Sequence, residues 1–201
     1  MIILQDVHKS YGVIQVLSHV NLRVDEGEGL AVVGRSGSGK TTLLKIIGTL
    51  AKPDRGSVTI HNVDVTRVRY KELLPITRSI GFSFQQSLLL PYMTALENVM
   101  LTSKITRKEA IERLTFMGLG ERIHHKPGKL SVGEKKRTDL ARALAQKPKI
   151  LIADESFSNL DTNCIEKVSE LINNFMKQGG TVITSSTGKT KPLNITHTLK
   201  L

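Results

Sequence analysis

Short apolar runs recur along this chain and separate segments with helical spacing. The runs that predict strands lie at residues 2–7, 20–24, 30–33, 58–60, 150–153 and 181–184. Helical spacing follows the third run, over residues 42–47, and dominates the middle of the chain. This order predicts an α/β protein: an N-terminal antiparallel β subdomain, then a mostly parallel sheet flanked by helices, with a helical subdomain inserted roughly at residues 86–146.

The turn between the third run and its helix has the pattern G-x-x-x-x-G-K-[ST]. The predicted phosphate-binding residues are Gly34, Ser36, Gly37, Ser38, Gly39, Lys40, Thr41 and Thr42. Glycines let the loop turn tightly, so that N–H groups and a helix N-terminus point at phosphate. In this pattern Lys40 reaches the β- and γ-phosphates and the Thr41 hydroxyl binds Mg²⁺. A turn that merely carries one lysine does not explain four fixed identities, so the sequence predicts a nucleoside triphosphate site.

A second candidate element is the apolar run at residues 150–153, which ends in Asp154 and Glu155. A buried parallel strand brings its carboxyl end to the ligand crevice of an open α/β sheet. We expect Asp154 to hold the Mg²⁺ shell and Glu155 to act as general base on the attacking water. Alone, this run could equally be a strand that ends in solvated acids. Together with the phosphate loop, the functional interpretation is the better one.

Further motifs surround these two in a fixed order. They are Tyr11, Gln85 at the end of residues 81–85, residues 130–137 with 140–144, and residues 158–161. The whole set resembles the ATP-binding cassette (ABC) ATPases, whose L-S-G-G-Q signature is similar to Leu-Ser-Val-Gly-Glu at residues 130–134. The resemblance covers nearly the whole chain. It implies a P-loop NTPase core and a single nucleotide-binding domain over residues 1–201.

The resemblance also implies a role for each motif. Tyr11 would stack on adenine, while Gln85 would bind Mg²⁺, sense the attacking water and lie in a loop beside a permease. Ser131 and the Gly133 N–H would bind the γ-phosphate held by a second protomer, and Asp161 would align the two sites. The implied cofactors are ATP and Mg²⁺ in a head-to-tail dimer, with catalysis by Glu155, Gln85, Lys40 and Thr187.

Some residues depart from the family pattern. Val132 and Glu134 replace Gly and Gln in the signature, and Ser156 replaces the Pro that commonly follows the catalytic acid. Val132 is tolerable if its φ is negative, because only a left-handed backbone penalises a β-branched residue heavily.

The switch region departs further. After the strand at residues 181–184 the chain reads Ser186, Thr187 and Gly188, where the family has a histidine. Thr187 offers a hydroxyl in place of an imidazole. Three outcomes therefore stay open: ATP hydrolysis at this site is slow, depends on a partner, or is lost. His197 is not expected to substitute, because a lone histidine in a terminal strand more often lies on a strand face.

The net charge of +11, with 29 basic and 18 acidic residues, could indicate nucleic acid or an anionic membrane surface. We expect no specific nucleic acid, because aromatics are only 4% of residues and no recognition-helix pattern is present. The basic residues 135–137 are interpreted as a solvated helix face.

No segment approaches the ~18 to 20 apolar residues of a membrane span. The lone Cys164 cannot form an internal disulfide, which is consistent with a reducing compartment. We therefore expect the chain in the cytoplasm, where a partner would hold it at the cytoplasmic face of the membrane.

Within the family, residues 85–91, 94–99 and 118–127 are similar to the ATPases of lipoprotein-release, macrolide-export and antimicrobial-peptide-export systems. The resemblance implies a homo- or heterodimeric ATPase subunit that powers a transmembrane permease, either an exporter or a lipid, lipoprotein or peptide type. A non-transport or degenerate ABC ATPase, acting as a soluble assembly, nucleic-acid or regulatory factor, stays open as the alternative. A phosphate-loop kinase or GTPase would leave the signature unexplained.

Overall fold

The computed structural model describes residues 1–101, 104–157, 162–187 and 193–201, which form two sheets. The antiparallel sheet contains β1 (Ile2–Tyr11), β2 (Ile14–Val24), β4 (Arg55–Ile60) and β5 (Val63–Asp64), in the order β2-β1-β4-β5. The parallel sheet contains β3 (Gly29–Val33), β6 (Ile80–Ser83), β7 (Ile150–Asp154), β8 (Thr181–Ser186) and β9 (His197–Lys200), in the order β6-β7-β8-β3-β9. The predicted α/β fold is confirmed.

Helices flank the parallel sheet and fill the middle of the chain. They are α1 (Lys40–Ile47), α2 (Tyr70–Thr77), α3 (Ala95–Met100), α4 (Arg107–Phe116), α5 (Val132–Ala145) and α6 (Thr162–Lys177), with 3-10 turns at Gly120–Arg122 and Pro127–Lys129. Helices α3, α4 and α5 contact one another, and α1 and α6 contact the parallel sheet. In the part of the chain that the structure describes, no helix is both long and apolar enough to cross a membrane.

Reciprocal hydrogen bonds start each of the three middle helices. The hydroxyls of Thr94, Thr106 and Ser131 each accept from the backbone N–H of a glutamate three residues later, and that glutamate accepts from the N–H of the capping residue. This capping box satisfies two of the donors that a helix start leaves unpaired. In the region that the sequence predicts to be helical, capping residues therefore define where each of these three helices begins.

The interior consists of two groups of buried apolar side chains on opposite sides of the parallel sheet. Ile150 and Ile152 of β7 belong to the group shared with the antiparallel sheet and α1. Leu151, between them, belongs to the group shared with the middle helices and α6. Successive side chains of a strand point to opposite faces, so a strand covered on both sides is apolar throughout. The buried strand β7 then places its polar end, Asp154, at one edge of the sheet.

The carboxyl ends of four neighbouring strands meet at that edge. The chain leaves β3 into the phosphate loop, β6 ends just before Gln85, β7 ends at Asp154, and β8 ends at Ser186. Ligands of open α/β sheets bind outside the carboxyl ends of the strands. The topology thus assembles residues that are far apart in sequence.

Candidate nucleotide site

Glycines shape the loop between β3 and α1. Gly39 has a φ of 96°, and a Cβ at this position would lie 2.9 Å from Val16 O. A Cβ on Gly34 would lie 2.4 Å from Ser38 Oγ. Both distances are shorter than Cβ atoms tolerate, so the loop can close this tightly only with glycine. Ser38 Oγ is buried and has no hydrogen-bond partner among the described residues, which leaves a polar group inside the loop for a phosphate.

Lys40 lies across this loop at the first position of α1. Its side chain is only 5% exposed, and Nζ donates to Gly34 O at 3.0 Å and to Arg35 O at 2.9 Å. The same Nζ lies 3.8 Å from Glu155 Oε1. A buried cation and the positive end of a helix therefore face one loop, which suits a polyanionic phosphate chain.

Thr41 and Asp154 provide oxygen atoms beside the loop. Thr41 Oγ1 donates to Asp154 Oδ2 at 2.8 Å, and Ser185 Oγ donates to Asp154 Oδ1 at 2.5 Å. Asp154 is 1% exposed and pairs with Ser185 in the register of β7 and β8. Mg²⁺ prefers hydroxyl, carboxylate and water oxygens, so these donors fit a magnesium ion beside bound phosphates.

Glu155 and Gln85 meet at the same edge from neighbouring strands. Gln85 Nε2 donates to Glu155 Oε2 at 3.1 Å. The backbone of Glu155 has a φ of 47°; its N–H donates to Ser185 Oγ at 2.9 Å, and its carbonyl accepts from Lys136 Nζ at 2.8 Å. The backbone of the predicted general base is therefore held on both sides.

Sequence reasoning did not assign a site role to Ser185 or Lys136. Ser185 directly follows the apolar run that predicts β8. Its position at the carboxyl end of a predicted strand was the sequence signal that could have marked it as a site residue. Lys136 lies in the basic run interpreted as a solvated helix face, but its side chain is only 6% exposed. That interpretation is wrong for Lys136 because it contacts the carbonyl of Glu155, and burial lowers the pKa of its ammonium group.

Lys40, Thr41, Gln85 and Glu155, all predicted site residues, line one cleft of about 250 Å³. The cleft is lined by Tyr11, Val16, Ser36, Gly37, Gly39, Lys40, Thr41, Thr42, Gln85 and Glu155. Tyr11, at the end of β1, is 52% exposed, and Lys9 Nζ lies 5.5 Å from the centroid of its ring. An exposed aromatic ring beside the phosphate loop suits stacking on a base. A larger cavity of about 510 Å³ lies against α6 around Phe175, away from the phosphate loop. The chemistry of its lining, and not its volume, therefore makes the smaller cleft the candidate nucleotide site.

Ser131 and Gly133 are not among the described residues that line this cleft. Ser131 Oγ accepts from Glu134 N at 3.2 Å, and Glu134 Oε2 accepts from Ser131 N at 2.7 Å. The unexpected Glu134 thus completes a helix cap. Val132 is the first residue of α5 and is 60% exposed, so its backbone is helical and meets the condition of negative φ.

The structure also locates the switch region. Thr187 is exposed and directly follows β8, whose last residue, Ser186, accepts through its carbonyl from the first glycine of the loop at 3.3 Å. His197 Nε2 lies 2.9 Å from Glu28 Oε2 at the opposite end of β3, so it does not substitute at the cleft. Asp161 lies outside the described residues.

Comparison with known proteins decides the family. Residues 17–158 match the family model described as ABC transporter. The chain is an ABC transporter ATPase. This ABC ATPase is 46% identical to the lipoprotein-releasing system ATP-binding protein LolD of Bacteroides thetaiotaomicron over 179 residues, which cover 85% of this chain and 82% of the relative. It is 41% identical over 195 residues to YvrO, an ABC transporter ATP-binding protein of Bacillus subtilis, covering 91% and 85%.

A solved structure agrees with these relatives. The ATP-binding cassette MJ0796, in a dimeric post-hydrolysis state bound to ADP and Pi, superposes with a TM-score of 0.85 and 38% identity, covering 92% of this chain and 88% of that one. The ABC ATPase therefore binds ATP. The relatives are transporter subunits, which favours the transport interpretation over the non-transport alternative.

Proposed function

We propose that this ABC ATPase hydrolyses Mg-ATP in the cleft beside the phosphate loop and thereby powers a transmembrane permease of the lipoprotein-release type. The convergence of Lys40, Gln85 and Glu155 on one cleft carries the proposal. The permease and its cargo class are inferred from the LolD relatives. The subunit would act as one nucleotide-binding domain over residues 1–201, with its helical subdomain at residues 86–146, on the cytoplasmic face of the membrane.

Binding would begin at the loop. Lys40 Nζ would exchange its bonds to the carbonyls of Gly34 and Arg35 for bonds to the β- and γ-phosphate oxygens. In a buried position its charge is poorly screened by water, so it neutralises the phosphates strongly. Thr41, Asp154 and Gln85 would hold Mg²⁺, which, when bound, adds further neutralisation of the phosphate oxygens.

Proton removal from the attacking water is assigned to Glu155. Its carboxylate faces the cleft, and the hydrogen bond from Gln85 Nε2 fixes the orientation of both side chains. The amide oxygen of Gln85 can then accept from the same water. Fixing these groups before the reaction removes the orientational cost of bringing them together.

A second chain would complete the site. Ser131 and Gly133 lie at the start of α5, outside the cleft of their own chain, with Val132 exposed beside them. Supplying these residues head to tail to the γ-phosphate of a partner would explain their position. The dimeric state of MJ0796 supports this arrangement. A dimer of this kind contains two equivalent sites.

Steady-state hydrolysis by a Glu155→Gln variant tests the proposal. The amide cannot accept the water proton, so turnover should fall by about a hundredfold or more while ATP affinity persists. Glu170→Gln, on the exposed side of α6, is the matched control and should retain wild-type turnover. Equal turnover in wild type and Glu155→Gln would refute the assignment of the base.

Co-purification from membranes tests the permease. A tagged chain should recover a multi-span membrane protein whose loss leaves lipid-modified proteins in the inner membrane. Recovery of nucleic acid in place of a permease, released by salt, would contradict the transport proposal.

A further inference from the structure

Three potential metal ligands lie together on the antiparallel sheet. Asp6 and His8 belong to β1, and His19 belongs to the neighbouring β2. His19 Nδ1 lies 2.7 Å from Asp6 Oδ1, and His8 Nε2 lies 3.1 Å from the same oxygen. All three ligand atoms lie within 4.8 Å of one another. The described lining of the nucleotide cleft includes none of them, and the proposed hydrolysis does not use them.

Irregular pairing of β1 and β2 produces this cluster. The register shifts on both sides of Val7, and both Asp6 and His19 have left-handed backbones, with φ of 49° and 51°. Bulges of this kind re-aim side chains that regular alternation would direct elsewhere. Left-handed conformations at non-glycine residues are strained and concentrate at functional sites. Here the strain lies at two of the three ligands.

Neighbouring residues fix the strained backbone. Asp6 N–H donates to Asn21 Oδ1 at 2.9 Å, and Asn21 Nδ2 donates to His19 O at 3.2 Å. Gly56 packs so closely against the other side that a Cβ there would lie 2.3 Å from Asp6 O. One asparagine thus ties the two ligand-bearing strands together. Ligands held in place before binding lose little conformational entropy when an ion arrives.

The donor chemistry selects the kind of ion. Two imidazoles and one carboxylate suit Zn²⁺ and neighbouring first-row divalent ions, whereas Mg²⁺ and Ca²⁺ favour oxygen-only sites. Zinc bonds of ~2.0–2.2 Å in tetrahedral geometry place ligand atoms about 3.4 Å apart. The observed separations of 2.7 and 3.1 Å need only small side-chain movements to reach this spacing. The exposed side of the cluster leaves room for water as the remaining ligand.

We propose that Asp6, His8 and His19 form a site for a divalent transition-metal ion of the zinc class, with water completing the coordination. The ion would clamp β1 to β2 and so brace the strand that ends at Tyr11. The plain alternative is a pair of histidines hydrogen-bonded to one aspartate, with edge-to-face ring contact between His8 and His19 at 4.2 Å.

Calorimetric titration with Zn²⁺ tests the site on the purified full chain, stripped by chelator and free of nucleotide. Wild type should bind a single Zn²⁺ per chain with micromolar affinity. Asp6→Asn and His19→Ala should each weaken binding by about tenfold or more, and the double variant His8→Ala/His19→Ala should show no saturable binding. His197→Ala is the matched control, because it removes an exposed histidine that pairs with Glu28 at 2.9 Å, and it should bind as wild type does.

Thermal unfolding gives the second readout. Zn²⁺ should raise the Tm of wild type and of His197→Ala, but not that of the double variant, since a ligand stabilises only the state that binds it. Tm and circular dichroism in chelator establish that each variant is folded. ATP hydrolysis should be unchanged in the double variant, so failure of the metal site is separable from failure of the proposed function. If wild type binds no Zn²⁺, or if Asp6→Asn and the double variant bind as tightly as wild type, the cluster is a hydrogen-bonded triad only.

Discussion

At the residue scale, Glu155 combines strain with a catalytic assignment. A left-handed backbone at a non-glycine residue costs about 1–3 kcal/mol, so the surroundings must hold it. Ser185 accepts from its N–H, and Lys136 donates to its carbonyl. This backbone directs the carboxylate from the end of β7 toward Gln85 and the phosphate loop. Pre-organisation of the proposed base thus depends on Ser185 and Lys136, two residues to which the sequence pattern assigned no site role.

Thr187 is the residue at which the chain departs most from a complete catalytic site. Thr187→His should raise the maximal turnover by about tenfold, because an imidazole can hydrogen-bond the γ-phosphate and the attacking water together. ATP affinity should change little, since Lys40 and the loop supply most of the binding. Measurements of kcat and of the Kd for ATP check this.

Thr187→Ala is the control for the threonine hydroxyl. This variant should lower turnover if the Thr187 hydroxyl takes over the role of the absent switch histidine. If the hydroxyl has no such role, turnover should stay as in wild type. A Thr187→His variant no faster than wild type would show that the switch position does not limit hydrolysis.

At the element scale, α5 connects the parts of the site. Its first turn is capped by Ser131, and its Lys136 contacts the carbonyl of Glu155. One turn later, Asp139 accepts from the N–H of Phe84 at 2.9 Å, and Arg142 donates to the carbonyl of Leu88 at 2.6 Å. The helix therefore holds both ends of the segment that contains Gln85. Movement of the signature end of α5 would be transmitted to the proposed base and to Gln85 of the same chain.

Asp139 is the buried centre of this connection. Burial raises the pKa of its carboxyl group, even though Arg142, Phe84 and Ser83 all bond to the carboxylate. Asp139→Ala should lower kcat with little effect on the Kd for ATP, because Gln85 loses its anchor while the phosphate loop is untouched. It should also cost about 3 kcal/mol of stability, since Arg142 loses its ion pair and the buried hydroxyl of Ser83 and the N–H of Phe84 lose their acceptor.

Two further variants make this prediction specific. Asp139→Asn keeps an oxygen for Phe84 and should recover part of the lost kcat. Asp25→Ala, which removes an exposed ion pair with Arg23, should change neither quantity much. Wild-type kcat in Asp139→Ala, measured well below its melting temperature, would show that this anchor does not position Gln85.

The sequence predicts elements well where pattern and chemistry coincide. The buried runs gave β3, β7 and β8, because a strand covered on both faces must be apolar throughout. Helix α2 escaped prediction because Pro75 interrupts its pattern, and β5 is only a residue pair. The phosphate loop was predictable from fixed identities. The buried role of Lys136 was not, because it arises only when α5 packs beside the end of β7.

At the scale of the whole molecule, a single chain presents an incomplete proposed site. Its cleft gathers the phosphate loop, Gln85 and Glu155, while Ser131 and Gly133 lie outside the cleft lining. Two chains placed head to tail would make each cleft complete and couple its closure to ATP. That sharing of residues between chains is the central claim of the proposed mechanism.

Hydrolysis by mixed variants tests this claim most directly. Lys40→Ala damages the cleft and Ser131→Arg damages the signature, so each variant alone should be inactive. In a mixed dimer, the intact cleft of the Ser131→Arg chain meets the intact signature of the Lys40→Ala chain, so one site of two works. Random pairing makes half of the dimers mixed. The mixture should therefore regain about a quarter of wild-type turnover. A mixture as inactive as the separate variants, with dimers formed in all samples, would contradict a site shared between chains.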